Sequence, residues 1–202
     1  LMEVFNVRQN SEAWEKLRFG RPTASQFYRI GWNRKKDGLG QMARSYMCEL
    51  LAQRAGVWTQ APPSFWMEWG NENEPIAVEA YELLHNCQCE TVGFVTALDG
   101  RIGCSPDRTL RKGLLEVKCP APQTHIGWMM DGVLPSDHED QVRGEIFICG
   151  VDWCDFFSHH PGLKPFEVRV YNDAAQAEWE KNFLKLIDLF SAELETNWER
   201  LK

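Results

Sequence analysis

Two short stretches of this 202-residue chain hold side chains that could do chemistry together, Ser105-Pro106-Asp107 and Leu115-Glu116-Val117-Lys118. Residues two apart in a strand share a face, so Glu116 and Lys118 project together while Val117 points the other way. A hairpin that folds Asp107 back beside Glu116 would gather two carboxylates and an ammonium. Two carboxylates make a hard oxygen site for Mg²⁺, which takes one or two protein carboxylates and keeps positions for water and phosphate. The lysine would then orient an attacking water and offset charge on the phosphate. A surface ion pair on an edge strand is the plainer reading of Glu-x-Lys. The preceding Ser-Pro-Asp, the apolar lead-in Leu114-Leu115 and the stop at Cys119-Pro120 favour the hydrolytic one. The implied chemistry is cleavage of phosphodiesters.

Such a site needs elements to carry it. Ser11 ahead of Glu12-Ala13-Trp14 predicts a helix with Trp14 and Leu17 on one face, and Thr23-Ala24-Ser25 opens a short helix bearing Phe27 and Ile30. Residues 32–40 form a charged, glycine-bearing loop that contains Arg34-Lys35-Lys36. The spacing of Met42, Tyr46, Leu50 and Leu51 predicts an amphipathic helix to Arg54. Ala61-Pro62-Pro63-Ser64 breaks the chain, and a further helix is expected from Glu72 to His85. Strands are expected over Thr91–Leu98 and, returning after an Asp99-Gly100 turn, over Arg101–Cys104, then over Leu114–Lys118, over Asp152–His159 and over Pro165–Tyr171. Helices are expected over Gln123–Met130 and Asp137–Ile148. A long last helix capped by Asp173 carries Trp179, Phe183, Leu186, Phe190 and Leu194 as a core or subunit-contact stripe.

Charge is unevenly spread. The net is −7, yet residues 1–60 hold ten Lys/Arg against five Asp/Glu, while residues 61–202 hold twelve against twenty-four. An overall acidic chain is no general nucleic-acid coat, but a DNA-binding surface could lie in the N-terminal third with metal-binding carboxylates later. Seven cysteines, with no CxxC pair, are expected as buried reduced thiols, a metal cluster being the lesser alternative. No apolar run is long enough to cross a bilayer and the N-terminus shows no apolar signal segment, so a soluble, intracellular, single-domain protein is expected.

Further blocks resemble a known family. Trp14-Glu-Lys-Leu-Arg18-Phe-Gly-Arg-Pro-Thr23-Ala-Ser25 is similar to the start of the phage lambda exonuclease family, within the PD-(D/E)xK nuclease superfamily. Trp69-Gly70-Asn-Glu-Asn-Glu74-Pro-Ile-Ala77, Cys104-Ser105-Pro106-Asp107 and Leu115-Glu116-Val117-Lys118-Cys119-Pro120 follow in the family's order, and Gln141 stands where it has a glutamine. The resemblance implies a restriction-endonuclease-like α/β core, a central mixed sheet flanked by helices. Within one exonuclease domain it implies an N-terminal helical DNA-binding part over about residues 1–70 and a nuclease core over 71–202. The implied activity is 5′-to-3′ digestion of linear duplex DNA to mononucleotides, leaving 3′ overhangs. Also implied are Mg²⁺ (Mn²⁺ substituting), a homotrimeric ring, a phage single-strand annealing protein as partner in recombination, and the cytoplasm of a bacterial host.

Carried over by position, Asp107 and Glu116 would hold metal with the Val117 carbonyl, Lys118 would position the water, and Glu74 and Gln141 would complete the site. Arg18, Ser25 and Ser105 would bind a terminal 5′-phosphate, and Met67 in Phe65-Trp66-Met67 would part the strands. Arg34-Lys35-Lys36 would touch the DNA backbone. The family's second basic phosphate ligand, eight residues past the metal-binding glutamate, is Thr124 here, beside His125. Either His125 substitutes or Arg18 works with less help. Other readings are a PD-(D/E)xK endonuclease or repair nuclease, a non-catalytic DNA-end-binding subunit, and a cysteine-ligated iron–sulfur nuclease.

Overall fold

A computed structural model describes residues 1–31, 38–59, 62 and 64–202. The loop reading of Arg34-Lys35-Lys36 lies outside the described residues. Helix α1 (Glu12–Arg18) starts as expected, with the Ser11 hydroxyl accepting from the Trp14 N–H. A 3₁₀ turn (Ala24–Gln26) leads into α2 (Phe27–Gly31), which buries Phe27 and Ile30, and α3 (Gln41–Arg54) buries Tyr46, Met47 and Leu50. Helix α4 (Phe65–His85) begins seven residues before its expected start, because Ser64 caps it by accepting from the Met67 N–H. Phe65, Trp66 and Met67 are therefore helical.

Among the described residues seven strands form two sheets. The first is three-stranded, β1 (Glu3–Phe5), β2 (Phe94–Ala97) and β3 (Ile102–Cys104), all antiparallel. Asp99 and Gly100 both take positive φ at the expected turn, the mirror-image geometry that matches the twist of hairpin strands. The second has the order β4 (Arg108–Leu110), β5 (Gly113–Lys118), β6 (Trp153–Ser158), β7 (Phe166–Tyr171), with β5 and β6 parallel and the outer pairs antiparallel. Helices α5 (Pro122–Asp131) and α6 (Ser136–Cys149) fill the β5–β6 crossover, and α7 (Ala174–Leu201) ends the fold, with Asp173 as its cap.

Two faces of β5 meet two layers. Leu115 and Val117 pack on Ala77, Val78 and Tyr81 of α4, whereas Leu114 packs on Val142 and Ile146 of α6. A separate core joins α2, α3, β2 and β3 to Ile148 of α6 and to Phe183, Ile187, Phe190 and Leu194 of α7, so the last helix's stripe is core. The expected division near residue 70 falls inside α4. Within the second sheet Asp155 is fully buried, held by a two-pronged Arg169 contact at 2.6 and 2.7 Å and by the Tyr81 hydroxyl at 2.6 Å. All seven cysteines are free thiols. Cys104, Cys119 and Cys154 are buried, Cys87, Cys89 and Cys149 partly so, and Cys48 is exposed, contrary to expectation. Among the described residues no helix is long and apolar enough to cross a membrane.

Helix α6 sits close to the N-terminal helices because residue 144 is glycine. A Cβ there would fall 2.6 Å from the Phe27 ring, which is itself wedged in the core. Gly144→Ala is expected to lose stability despite the ~1 kcal/mol that alanine ordinarily gains in a helix, since overpacking costs about 1–3 kcal/mol. A melting temperature equal to or above the parent's would show that Phe27 can move aside.

Candidate active site

Strand β4 begins at Arg108, whereas β5 runs on beyond its partner to Lys118. Val117 therefore has no strand neighbour on that side. The Asp107 carboxylate takes its place, with Oδ2 accepting the Val117 N–H at 2.7 Å. A strand residue's N–H and C=O leave by the same edge, so the Val117 carbonyl faces the Asp107 side as well. The expected hairpin is present and brings Asp107 alongside Glu116.

Glu116 and Lys118 share a face, as their spacing predicts, and form an ion pair through Glu116 Oε1. That face looks at α6, from which Gln141 Nε2 donates to the same Oε1 at 2.6 Å. Glu116 is 2% exposed, and its other oxygen, Oε2, is buried with no hydrogen-bond partner among the described residues. Glu74 arrives from α4 on the opposite layer. It pairs with Arg108 at 3.0 Å, and the same guanidinium nitrogen also donates to the Asp107 carbonyl. Sequence reasoning missed Arg108, and it missed Glu145 of α6, which is 1% exposed and accepts from Gln141 Nε2 at 3.1 Å. A charged residue on the buried stripe of α6, in register with Leu114, was the signal that could have found Glu145.

Electrostatics show what the cluster lacks. Burial holds the Asp107 carboxyl well above the ordinary carboxylate range; Glu116 and Glu74 add to this, while Lys118 and the Val117 N–H oppose it. Burial works against the Lys118 charge, but Glu116 and Asp107 outweigh it and hold the ammonium above its ordinary value. Burial and then Glu116 push Glu145 upward too. The site is short of positive charge and has an unused buried carboxylate oxygen. A divalent cation fits that description. Asp107, Glu116 and the Val117 carbonyl are placed where they could hold one. Among the described residues no three His, Cys, Asp or Glu gather at ligand spacing, so water or phosphate would fill the remaining positions, as suits Mg²⁺ better than a closed protein cage.

A second group assembles nearby. Thr23 bridges to Gly103 of β3, which brings the α1–α2 connection beside Cys104-Ser105. The Trp14 indole N–H donates to Ser105 Oγ at 2.7 Å, and the Arg18 guanidinium lies 4.2 Å over the Trp14 ring. Burial lowers the Arg18 pKa, and no carboxylate is among the groups that shift it. Ser25 Oγ lies 3.5 Å from Thr23 Oγ1. Arg18, Ser105 and the Thr23–Ser25 turn are thus neighbours. Thr124 is exposed on the first turn of α5.

His125 must be corrected. It is fully buried, Nε2 donates to the Lys164 carbonyl at 2.9 Å and Nδ1 contacts Ser158 Oγ at 2.7 Å, so neither nitrogen remains for a phosphate. Met67, in contrast, is 55% exposed on the first turn of α4, with Phe65 and Trp66 exposed beside it, and none of the three packs into the core.

A mixed sheet bearing Pro-Asp and Glu-x-Lys on a hairpin, with a glutamine helix above it, defines a nuclease of the PD-(D/E)xK class. Comparison with known proteins narrows this. The family model described as the YqaJ-like viral recombinase domain matches residues 13–152. The alkaline exonuclease LHK-Exo of Laribacter hongkongensis is 28% identical, with a TM-score of 0.83, over 95% of this chain and 96% of its own. A structure of LHK-Exo in complex with dAMP is 29% identical at a TM-score of 0.84, with the same coverage. A phage-related exonuclease of Haemophilus somnus 129PT shares the fold at 12% identity and a TM-score of 0.67, over 90% of this chain and 94% of that one. A search of curated proteins finds no match. The chain belongs to the YqaJ-like viral recombinase family, the family of lambda exonuclease, and is a DNA exonuclease.

The raised Asp107 and Glu145 carboxyls have a consequence for stability. A carboxyl that keeps its proton in the folded state and loses it when unfolded makes stability fall as pH rises above the unfolded pKa. Metal-free protein is expected to lose melting temperature from pH 5 upward, and Asp107→Asn to flatten that slope while keeping the Val117 hydrogen bond. Ca²⁺ should raise the melting temperature of wild type, by about 2.7 kcal/mol of stability at a hundredfold excess over Kd, and should raise that of Asp107→Asn much less. Equal Ca²⁺ shifts in both proteins would place the cation elsewhere.

Proposed function

We propose that the protein is a Mg²⁺-dependent exonuclease on linear double-stranded DNA. It removes 5′-mononucleotides from the 5′ end and leaves 3′ single strands for annealing in phage recombination. The observation that carries this reading is the Asp107–Glu116–Lys118 cluster, with a Glu116 oxygen that has no partner among the described residues, set beside a half-buried arginine that no carboxylate among them neutralises. A bound Mg²⁺ would polarise the scissile phosphate and lower the pKa of a ligated water. Mn²⁺ would substitute. Lys118 Nζ orients the attacking water and offsets charge on the phosphate, while Gln141 and Lys118 both hold Glu116 Oε1, so that Oε2 stays available. Glu74, tethered by Arg108, completes the acidic rim.

Arg18, Ser105 and Ser25 bind the terminal 5′-phosphate. A guanidinium 4.2 Å over an indole is held by the ring rather than by a counter-ion, so its N–H fork would remain for two phosphate oxygens. Thr124, at the N-terminal turn of α5, contributes at most a hydroxyl where relatives use a cation. The DNA enters over residues 1–70, the basic part of the chain, and exposed Met67 separates the strands at the duplex end. LHK-Exo's complex with dAMP, itself a mononucleotide, supports release of mononucleotides. A closed homotrimer would retain DNA topologically, sparing an acidic protomer the need for strong phosphate contacts. A phage single-strand annealing protein would receive the overhang, in the cytoplasm of a bacterial host.

Digestion of linear duplexes labelled at either end, with and without a 5′-phosphate and Mg²⁺, tests reaction, polarity and cofactor together. Loss of 5′ label as mononucleotide is expected, with closed circular duplex left intact; nicked circles would turn the reading to an endonuclease. Lys118→Ala should lower the rate on the order of 10²-fold or more while DNA binding persists.

Arg18→Ala should lose the preference for 5′-phosphoryl over 5′-hydroxyl ends and keep slow cleavage. Equal initial rates on the two ends in wild type would take Arg18 out of this role. Met67→Ala should slow blunt duplexes more than pre-frayed ones, since parting a base step costs roughly a few kcal/mol.

A further inference from the structure

Glu145 lies one helical turn past Gln141 on α6, and the chemistry just described makes no use of it. Its carboxylate is almost fully buried, and its Oε2 has no hydrogen-bond partner. A glutamate on a solvated face would need no explanation, but this one is inside. A carboxyl group is costly here in either state: ionised it would lose several kcal/mol of solvation, and neutral it still leaves a buried polar oxygen without a partner. The adjoining positions on the buried stripe, Val142 and Ile146, are aliphatic and pack without that cost. Core packing therefore gives no reason for a carboxylate here.

The hydrogen bonds give one. Gln141 Nε2 donates to Glu116 Oε1 at 2.6 Å and to Glu145 Oε1 at 3.1 Å. A primary amide nitrogen has two hydrogens, and these two acceptors use both. An amide held by one bond can rotate and present its oxygen in place of its nitrogen; an oxygen against Glu116 would repel the carboxylate that Gln141 otherwise restrains. With two acceptors on the nitrogen side, only one orientation satisfies the site. Gln141 then joins Lys118 on Oε1, and Glu116 Oε2 is left without a protein partner.

We propose that Glu145 is a positioning residue for the nuclease reaction: it fixes the orientation of the Gln141 amide, and through it the rotamer of Glu116 that keeps Oε2 available. It touches neither substrate nor metal. The inference rests on the nuclease reading of the Asp107–Glu116–Lys118 site, and Lys118→Ala tests that reading separately.

Three substitutions at 145 separate acceptor, charge and packing. Glu145→Gln keeps an acceptor oxygen, Glu145→Leu removes it, and Glu145→Met, with a more adaptable chain, stands in should the leucine variant fail to melt cooperatively. Rates at saturating and limiting duplex DNA are measured for each, alone and combined with Gln141→Ala, together with Ca²⁺ affinity by calorimetry. Glu145→Leu should lower kcat about tenfold with KM for DNA within about twofold, because only the reacting geometry is disturbed. Its Ca²⁺ affinity should fall severalfold, and Glu145→Gln should restore most of both losses. In the Gln141→Ala background the leucine substitution should add less than about a further twofold, since residues acting through one another are not additive. A full multiplicative loss in that background, or glutamine as damaging as leucine, would overturn the proposal in favour of a structural or purely electrostatic role. Undiminished digestion by Lys118→Ala would overturn it together with the site on which it rests.

Discussion

Carboxylates crowded around one ammonium are the constraint to which the rest of this fold answers. Asp107, Glu116 and Glu145 share the neighbourhood of Lys118, with Glu74 at its rim. Like charges about 4 Å apart repel by roughly 4 kcal/mol at an effective dielectric of 20. Against a total stability of about 5–15 kcal/mol, such an arrangement holds only if each member is fixed from a different direction. The β4–β5 hairpin fixes Asp107 through the Val117 N–H, α6 fixes Glu116 through Gln141, and Arg108 tethers Glu74 on α4. Both layers packed on β5 are therefore needed for the charges as well as for the core. A cluster this deficient in positive charge also explains why a nuclease of this class would work with a divalent cation rather than with lysine alone.

Much of this was legible in the sequence because local rules carry it. Alternation along a strand placed Glu116 and Lys118 together, Asp99-Gly100 marked its turn, and Ser11 and Asp173 marked the helix starts they cap. Of the three-residue strands, Ile102–Cys104 was legible as the return from the Asp99-Gly100 turn, and the other two were not. Glu3–Phe5 and Arg108–Leu110 are too short to show a period, and each exists only through a partner far off in the chain or across a tight turn. The early start of α4 was hidden by the apolar run Phe65-Trp66-Met67, which has no amphipathic pattern because that turn is exposed on all its large side chains. Glu145 was missed for a related reason: a lone glutamate on a helix is ordinarily solvated, and only the strand packed against α6 shows that this one lies inside.

His125 marks the boundary of arguing from position. Neighbouring residues on a helix point about 100° apart, so a residue next to the expected phosphate ligand faces elsewhere. His125 turns inward to Ser158 and Lys164, while Thr124 stays at the surface. No cation next to Thr124 in sequence takes the place where the family resemblance implies a second phosphate ligand, and in the proposed reading the grip rests on the Arg18–Trp14–Ser105 group. That group depends on Thr23 bridging to Gly103, a contact between residues eighty apart.

The core that joins α2 and α3 to α7 has a consequence in time rather than in space. Phe27, Ile30, Tyr46 and Leu50 are synthesised early, yet they close against Phe183, Ile187 and Phe190. Chains emerge from the ribosome N-terminus first, at roughly 5–20 residues per second, and contacts distant in sequence form late because the intervening loop must first be closed. An unfinished chain thus already contains Asp107, Glu116 and Lys118 but lacks the helix that completes the N-terminal core behind α6. The residues of the proposed site exist several seconds before the N-terminal core behind α6 can close.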